Sequence, residues 1–191
     1  METTVIRLAT PDDAAQIAAI YAYYVENTAV TFELEPPSAD EIRKRIISYT
    51  RRYPYLCLTQ GDTVIGFAFG HAFRERRAYD YAAEVSIYLH RDHRRRGIGT
   101  RIYTALENEL KKMGIKCLYA CIAVPDGEDS YLSNASPLFH EKLGYRTCGT
   151  FHNCGRKFNK WYDMIWMEKI IGAFSDEPEP IVPYPEITDK R

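Results

Sequence analysis

Residues 84–109 read EVSIYLHRDHRRRGIGTRIYTALENE: a strand, a basic turn with two glycines and a helix in direct succession. Val85, Ile87 and Leu89 alternate with Glu84, Ser86 and Tyr88, the period of a strand with one buried face. Beyond the turn, Ile98, Ile102, Leu106, Leu110 and Met113 recur at spacings of three and four, so the helix buries one stripe. The first amides of a helix lack intrahelical partners, and the aligned peptide dipoles place roughly half a positive charge at that end. Gly97 and Gly99 carry no side chains, so a diphosphate can approach those amides closely, while Arg94, Arg95 and Arg96 add attraction and two-donor contacts. An arginine run alone is more often a solvated charge cluster; the flanking strand and amphipathic helix favour an anion site. A dinucleotide fingerprint would need a third glycine where Ile102 stands, and a nucleotide P-loop would need Gly-Lys-Ser/Thr at its end, so neither motif fits.

Composition sets the frame around this unit. A chain of 191 residues supports one substantial core and is short for two. The formal net charge of −1 argues against a general nucleic-acid binder, although a local basic turn still suits a small polyanion. No apolar run reaches the length of a membrane span and no secretory core is seen, so no membrane partner and a cytoplasmic location are expected. The five cysteines, Cys57, Cys117, Cys121, Cys148 and Cys154, lie mostly in apolar strand-like runs and read as core or near-core thiols. Cys148, His152 and Cys154 do not match tetrahedral zinc spacing, and no metal is expected.

The remaining elements follow from local pattern. Residues 3–8 read as a strand, and Thr10-Pro11-Asp12-Asp13 starts a helix that ends near Asn27. Pro36-Pro37 closes the connection, and Ser38 with Glu41 opens a second helix through about residue 51. Residues 55–60 and 63–73 form a hairpin around Gly61-Asp62. After the central helix, residues 115–122 suit a strand buried on both faces, residues 134–143 a short helix closed by Gly144, and residues 145–151 and 162–170 two last strands around a turn near Asn159. The order is β-α-α-β-β-β-α-β-α-β-β. Residues 173–191 hold four prolines among alternating charges and predict an extended or loose tail without regular structure, leaving residues 1–172 as the domain.

Arg-x-x-Gly-x-Gly, here Arg94 to Gly99, resembles the acyl-CoA pyrophosphate loop of the GNAT N-acetyltransferase superfamily, with similarity over residues 6–169. The resemblance implies an α/β (α+β) single-domain GNAT fold: a central mixed, mostly antiparallel twisted sheet of about seven strands flanked by about four helices. It implies acetyl-CoA as cosubstrate, with the pyrophosphate held by Arg94, Arg95, Arg96, Gly97, Ile98, Gly99 and Thr100. Backbone groups of Ile87, Tyr88 and Leu89 would pair with the pantetheine arm, and those around Leu89 would polarise the thioester carbonyl.

Several segments are similar to the phosphinothricin and methionine sulfoximine acetyltransferase branch. They are Thr28-Ala29-Val30-Thr31-Phe32-Glu33 with Pro36-Pro37, Arg76-Arg77-Ala78-Tyr79-Asp80-Tyr81 followed by Glu84, His140-Glu141-Lys142-Leu143-Gly144-Tyr145, and residues 155–163. An alkyl ammonium has a pKa near 10, so acetylation of an amine at neutral pH needs a proton acceptor. The resemblance assigns that role to Glu84 and makes His140 a second catalytic or a structural imidazole. The branch asparagine falls on Ser133, with Asn134 one place later as the candidate CoA contact. Arg156 and Asn159 stand where the branch carries phenylalanine and glycine, beside the expected acceptor pocket. Arg76 or Arg77 could hold a substrate carboxylate in a planar fork, with Phe32, Glu33 and Tyr79 around the pocket. The expected partner is a small primary amine, an amino acid or analogue, with a polyamine or peptide amine and a non-catalytic acyl-CoA-binding module as alternatives; relatives are commonly homodimers.

Overall fold

The computed structural model describes residues 3–93 and 97–188. Its elements are β1 (Thr4–Leu8), α1 (Ala14–Asn27), α2 (Ala39–Thr50), β2 (Tyr55–Gln60), β3 (Thr63–Ala72), β4 (Ala82–Leu89), α3 (Ile98–Lys112), β5 (Cys117–Val124), α4 (Ala135–Lys142), β6 (Arg146–Lys157), β7 (Lys160–Ile170) and α5 (Tyr184–Thr188). Local chemistry sets their ends. Ser38 Oγ accepts from the Glu41 amide at 3.2 Å and starts α2. Gly61, at φ +56°, turns β2 into β3; Phe158 and Asn159, at +48° and +61°, turn β6 into β7 through two left-handed residues.

The seven strands lie in the order β1-β2-β3-β4-β5-β7-β6. Every pairing is antiparallel except β4 with β5, which is parallel. α1 and α2 bury Ile17, Tyr21, Ile42 and Ile46 against Tyr55, Cys57 and Phe67 on one face. On the opposite face α3 buries Ile102, Leu106 and Leu110 against Leu58, Ile65, Val85 and Leu118, and Phe139 of α4 joins the same cluster. Burial of apolar area on both faces is the main force closing β1–β4 into a layered core.

Three expectations are corrected. The tail is packed, with Tyr184 in α5 only 6% exposed. Its amide donates to the Arg52 carbonyl at 2.9 Å, and the Val182 amide donates to the Met113 carbonyl at 3.0 Å. The prolines leave these two amides free to bond, and Pro185 in the first turn of α5 needs no donor. The thiols divide: Cys57 and Cys117 are buried, whereas Cys121, Cys148 and Cys154 are exposed. Cys121 is exposed in the middle of β5 and β6 is exposed along most of its length, so β5 is not the doubly buried strand its apolar run suggested. Among the described helices none is long and apolar enough to cross a membrane.

Candidate active site

The site grows from the place where β4 and β5 part. Their pairing consists of Ala82 with Cys117, Ala83 with Leu118 and Glu84 with Tyr119. Residues 85–89 of β4 continue along β3 alone, down to Leu89 opposite Gly66. The His90 amide donates to the Ile65 carbonyl at 2.9 Å, which fixes the alternation of the β3–β4 ladder. By that alternation the backbone groups of Ile87 and Leu89 turn toward the gap, and those of Tyr88 turn toward Phe67 of β3. The expectation that Tyr88 offers its backbone is therefore corrected. The Leu89 groups are already engaged: the Tyr24 hydroxyl donates to the Leu89 carbonyl at 2.7 Å and accepts from its amide at 3.2 Å.

Beside this gap is a largely apolar cleft of about 220 Å³, lined by Tyr24, Ile87, Leu89, Gly99, Ser136 and Phe139 among others. Gly97 caps α3 in the left-handed region at φ +72°, where a side chain would be strained. A Cβ on Gly99 would come within 3.2 Å of Leu89 and 3.5 Å of Phe139, so glycine there keeps the helix start close to the cleft wall. Ile98 is buried and Thr100 exposed at the start of the same helix. Arg94, Arg95 and Arg96 lie outside the described residues. Asn134 is exposed at the N-cap of α4; Ser133, not Asn134, lines the cleft. The Ile87 backbone on the gap side of β4, the apolar walls and the start of α3 fit a pantetheine arm ending in a diphosphate.

The even residues of β4, Glu84, Ser86 and Tyr88, face a second cavity of about 250 Å³. One wall is a row of aromatic rings: Tyr55 stacks on Phe69 at 4.8 Å, Tyr49 on Phe69 at 5.4 Å, and Tyr49 on His71 at 5.4 Å. At its polar end Arg45 donates to Glu33 at 2.8 Å and to Glu41 at 2.8 Å, and the Tyr21 hydroxyl donates to Glu33 at 3.1 Å. Mutual attraction with these carboxylates holds the Arg45 pKa above its ordinary value. A narrower space of about 50 Å³ shares Ser86 and Tyr88 with this cavity and Ile87 and Ser136 with the cleft, so it lies between them.

Glu84 is half-buried, and among the described residues the basic side chain within 4 Å of its carboxylate is His71, Nε2 to Oε1 at 3.9 Å. Burial raises its pKa above the usual carboxylate range, with His71 and Arg74 opposing that rise. His140 differs. It is 4% exposed; Nε2 accepts from the Tyr103 hydroxyl at 2.9 Å and Nδ1 donates to the Ser136 carbonyl at 2.8 Å. Both nitrogens are satisfied by a neutral ring, and burial lowers its pKa. Its ring also lines the narrow space between the cleft and the aromatic cavity.

The other expected substrate residues separate. Glu33 lines the aromatic cavity, while Phe32 covers Gly155 and faces Tyr162 at 6.4 Å. Arg76 is exposed, Arg77 lines a distinct cavity with Arg52 and Asp80, and Tyr79 meets Phe73 edge-on at 5.9 Å. Neither Arg76 nor any residue of the 3-10 turn Arg77–Tyr79 lines the aromatic cavity. Arg45 and His71 were missed. Arg45 looks in sequence like the partner of Glu41 on a solvated helix face, whereas His71 continues the alternation of Phe67 and Phe69 and is itself the β3 register partner of Glu84.

Comparison with known proteins agrees with this geometry. The acetyltransferase (GNAT) domain profile matches residues 6–166. Phosphinothricin N-acetyltransferase of Streptomyces viridochromogenes is 30% identical over 182 residues, covering 95% of each chain. An L-methionine sulfoximine/L-methionine sulfone acetyltransferase of Salmonella typhimurium is 28% identical, covering 85% of this chain and 92% of its own. The crystal structure of a GNAT superfamily phosphinothricin acetyltransferase from Sinorhizobium meliloti in complex with AcCoA has a TM-score of 0.83 and 30% identity, covering 95% of this chain and 98% of that one. The chain is an acetyltransferase and belongs to the GNAT family.

Proposed function

We propose that this enzyme moves an acetyl group from acetyl-CoA to the primary amine of an α-amino acid or a close analogue, of the phosphinothricin or methionine sulfoximine kind, with Glu84 as general base. The observation that carries the reading is the Glu84 carboxylate itself. It is half-buried and accepts no hydrogen bond from the described residues, at the last β4 position paired with β5 and on the wall of the aromatic cavity. Bound acetyl-CoA supplies an activated thioester. Ile87 and Gly97 to Thr100 would hold it, since the backbone of Ile87 faces the gap and α3 begins beside the cleft. Glu84 takes a proton from the acceptor ammonium, either directly or through one water, which leaves a neutral nucleophile. The raised pKa suits this task, because it brings the base closer to neutral pH.

The names of the relatives support an amino-acid-like acceptor. The aromatic cavity is far larger than the roughly 10–15 Å³ needed by one water and suits an acceptor side chain. A thiol-release assay with acetyl-CoA and a panel of amino acids, polyamines and peptides tests the proposal. Turnover is expected with amino acids. Turnover confined to peptides or polyamines, or none at all, would overturn it.

A further inference from the structure

An α-amino acid carries its carboxylate one carbon from the reacting amine. If the amine meets Glu84, that second carboxylate lies within a few ångströms of a like charge and needs a donor of its own. Arg45 is committed, with donors to both Glu33 and Glu41. Arg77 lines a separate cavity with Arg52 and Asp80, and Arg76, outside the aromatic cavity's lining like Arg74, lacks the charge interaction with Glu84 that Arg74 has. His71 already faces Glu84.

Arg74, two residues beyond the end of β3, is placed differently. Tyr119 is the β5 partner of Glu84, and Phe73 stacks on Tyr119 at 4.3 Å. The Arg74 guanidinium lies over the Phe73 ring at 4.3 Å and near that of Trp166 at 5.5 Å. Two aromatic rings therefore hold this cation on the sheet face that carries Glu84, on the β5 side of that carboxylate. Nη1 donates to the Phe73 carbonyl at 2.7 Å, and among the described residues Arg74 has no carboxylate partner. Its charge reaches Glu84 and Cys121.

We infer that Arg74 is a specificity-determining residue: its guanidinium pairs with the carboxylate of an acceptor whose amine meets Glu84, and it selects α-amino acids over amines lacking that group. The inference rests on the acceptor site proposed above. The pair forms outside the gap in which the acetyl group is delivered, so it contributes binding rather than chemistry.

The test compares the unaltered enzyme with Arg74→Ala and Arg74→Lys on two acceptors, one α-amino acid and the amine left by removing its carboxylate. For Arg74→Ala, KM for the amino acid rises about 10- to 100-fold with kcat little changed, while KM for the amine stays constant or falls. Arg74→Lys retains part of the selectivity, because it keeps the charge and loses the fork. Equal shifts for both acceptors, or none for either, overturn the inference while leaving the acetyltransferase reading intact. Failure of the unaltered enzyme to acetylate any amino acid overturns the underlying reading and the inference together. Arg74 is exposed, so circular dichroism of both variants is expected to match the unaltered protein and separates selectivity from misfolding.

Discussion

Glu84 and His140 are both titratable groups shielded by the fold, and they teach opposite lessons. Burial shifts each toward its neutral form, raising the acid and lowering the imidazole. His140 spends both nitrogens on Tyr103 and Ser136 and thereby links α4 to α3. Glu84 faces a cavity with only a 3.9 Å approach from His71. A satisfied buried polar group specifies structure; an unsatisfied one beside a cavity stores reactivity.

Substitution can break this contrast. The largest effect is expected for Glu84→Gln, which keeps the shape and removes the base: turnover at neutral pH falls about 10²- to 10⁴-fold in a thiol-release assay. The same change is expected to raise the thermal midpoint near neutral pH. A carboxylate whose folded pKa exceeds its unfolded one makes the native state bind more protons between the two values. Stability is then lost as pH rises through that window, and glutamine does not titrate. Lower activity with higher stability is the mark of a functional carboxylate.

His140→Phe should show the reverse, because it strands the Tyr103 hydroxyl and the Ser136 carbonyl. Urea unfolding is expected to show a loss of about 2–4 kcal/mol, with turnover per folded molecule within a few-fold of the unaltered enzyme. The native histidine also predicts weakening in acid. Its lowered folded pKa means the unfolded chain takes up the proton first, so stability declines as pH falls below the ordinary histidine value toward the folded one. Tyr184→Ala, which empties a buried site in the packed tail, is expected to cost about 3 kcal/mol in the same assay. The smallest stability effect is expected at the aromatic cavity's polar end. Arg45→Met breaks ion pairs whose side chains are 31% to 54% exposed, so the loss stays within about 1 kcal/mol, whereas KM for the acceptor changes if that end touches it.

Much of the fold was legible because its signals are local and periodic. The β4-turn-α3 unit shows a period of two followed by one of three and four, and the Gly61 and Asn159 turns carry residues that tolerate left-handed backbone. The β4–β5 gap was not legible from periodicity, since nothing in residues 85–89 records that their parallel partner has left. Resemblance supplied it. Arg76 and Arg77 are near Glu84 along the chain but open a 3-10 turn and do not line its cavity. Arg74, two positions earlier, remains on the aromatic surface beside it. In the tail, prolines argued against order, yet Ile181, Val182 and Tyr184 among them were the apolar and hydrogen-bonding residues that dock it.

The most direct measurement is the pH dependence of kcat/KM for one amino acid, taken with the unaltered enzyme and with Glu84→Gln. The unaltered enzyme should lose activity in acid as Glu84 takes up a proton above the ordinary carboxylate range, and the glutamine variant, slower throughout, should lack that limb and follow only the titration of the amine. An identical acid limb and an undiminished rate in both would contradict the assignment of Glu84 as the base.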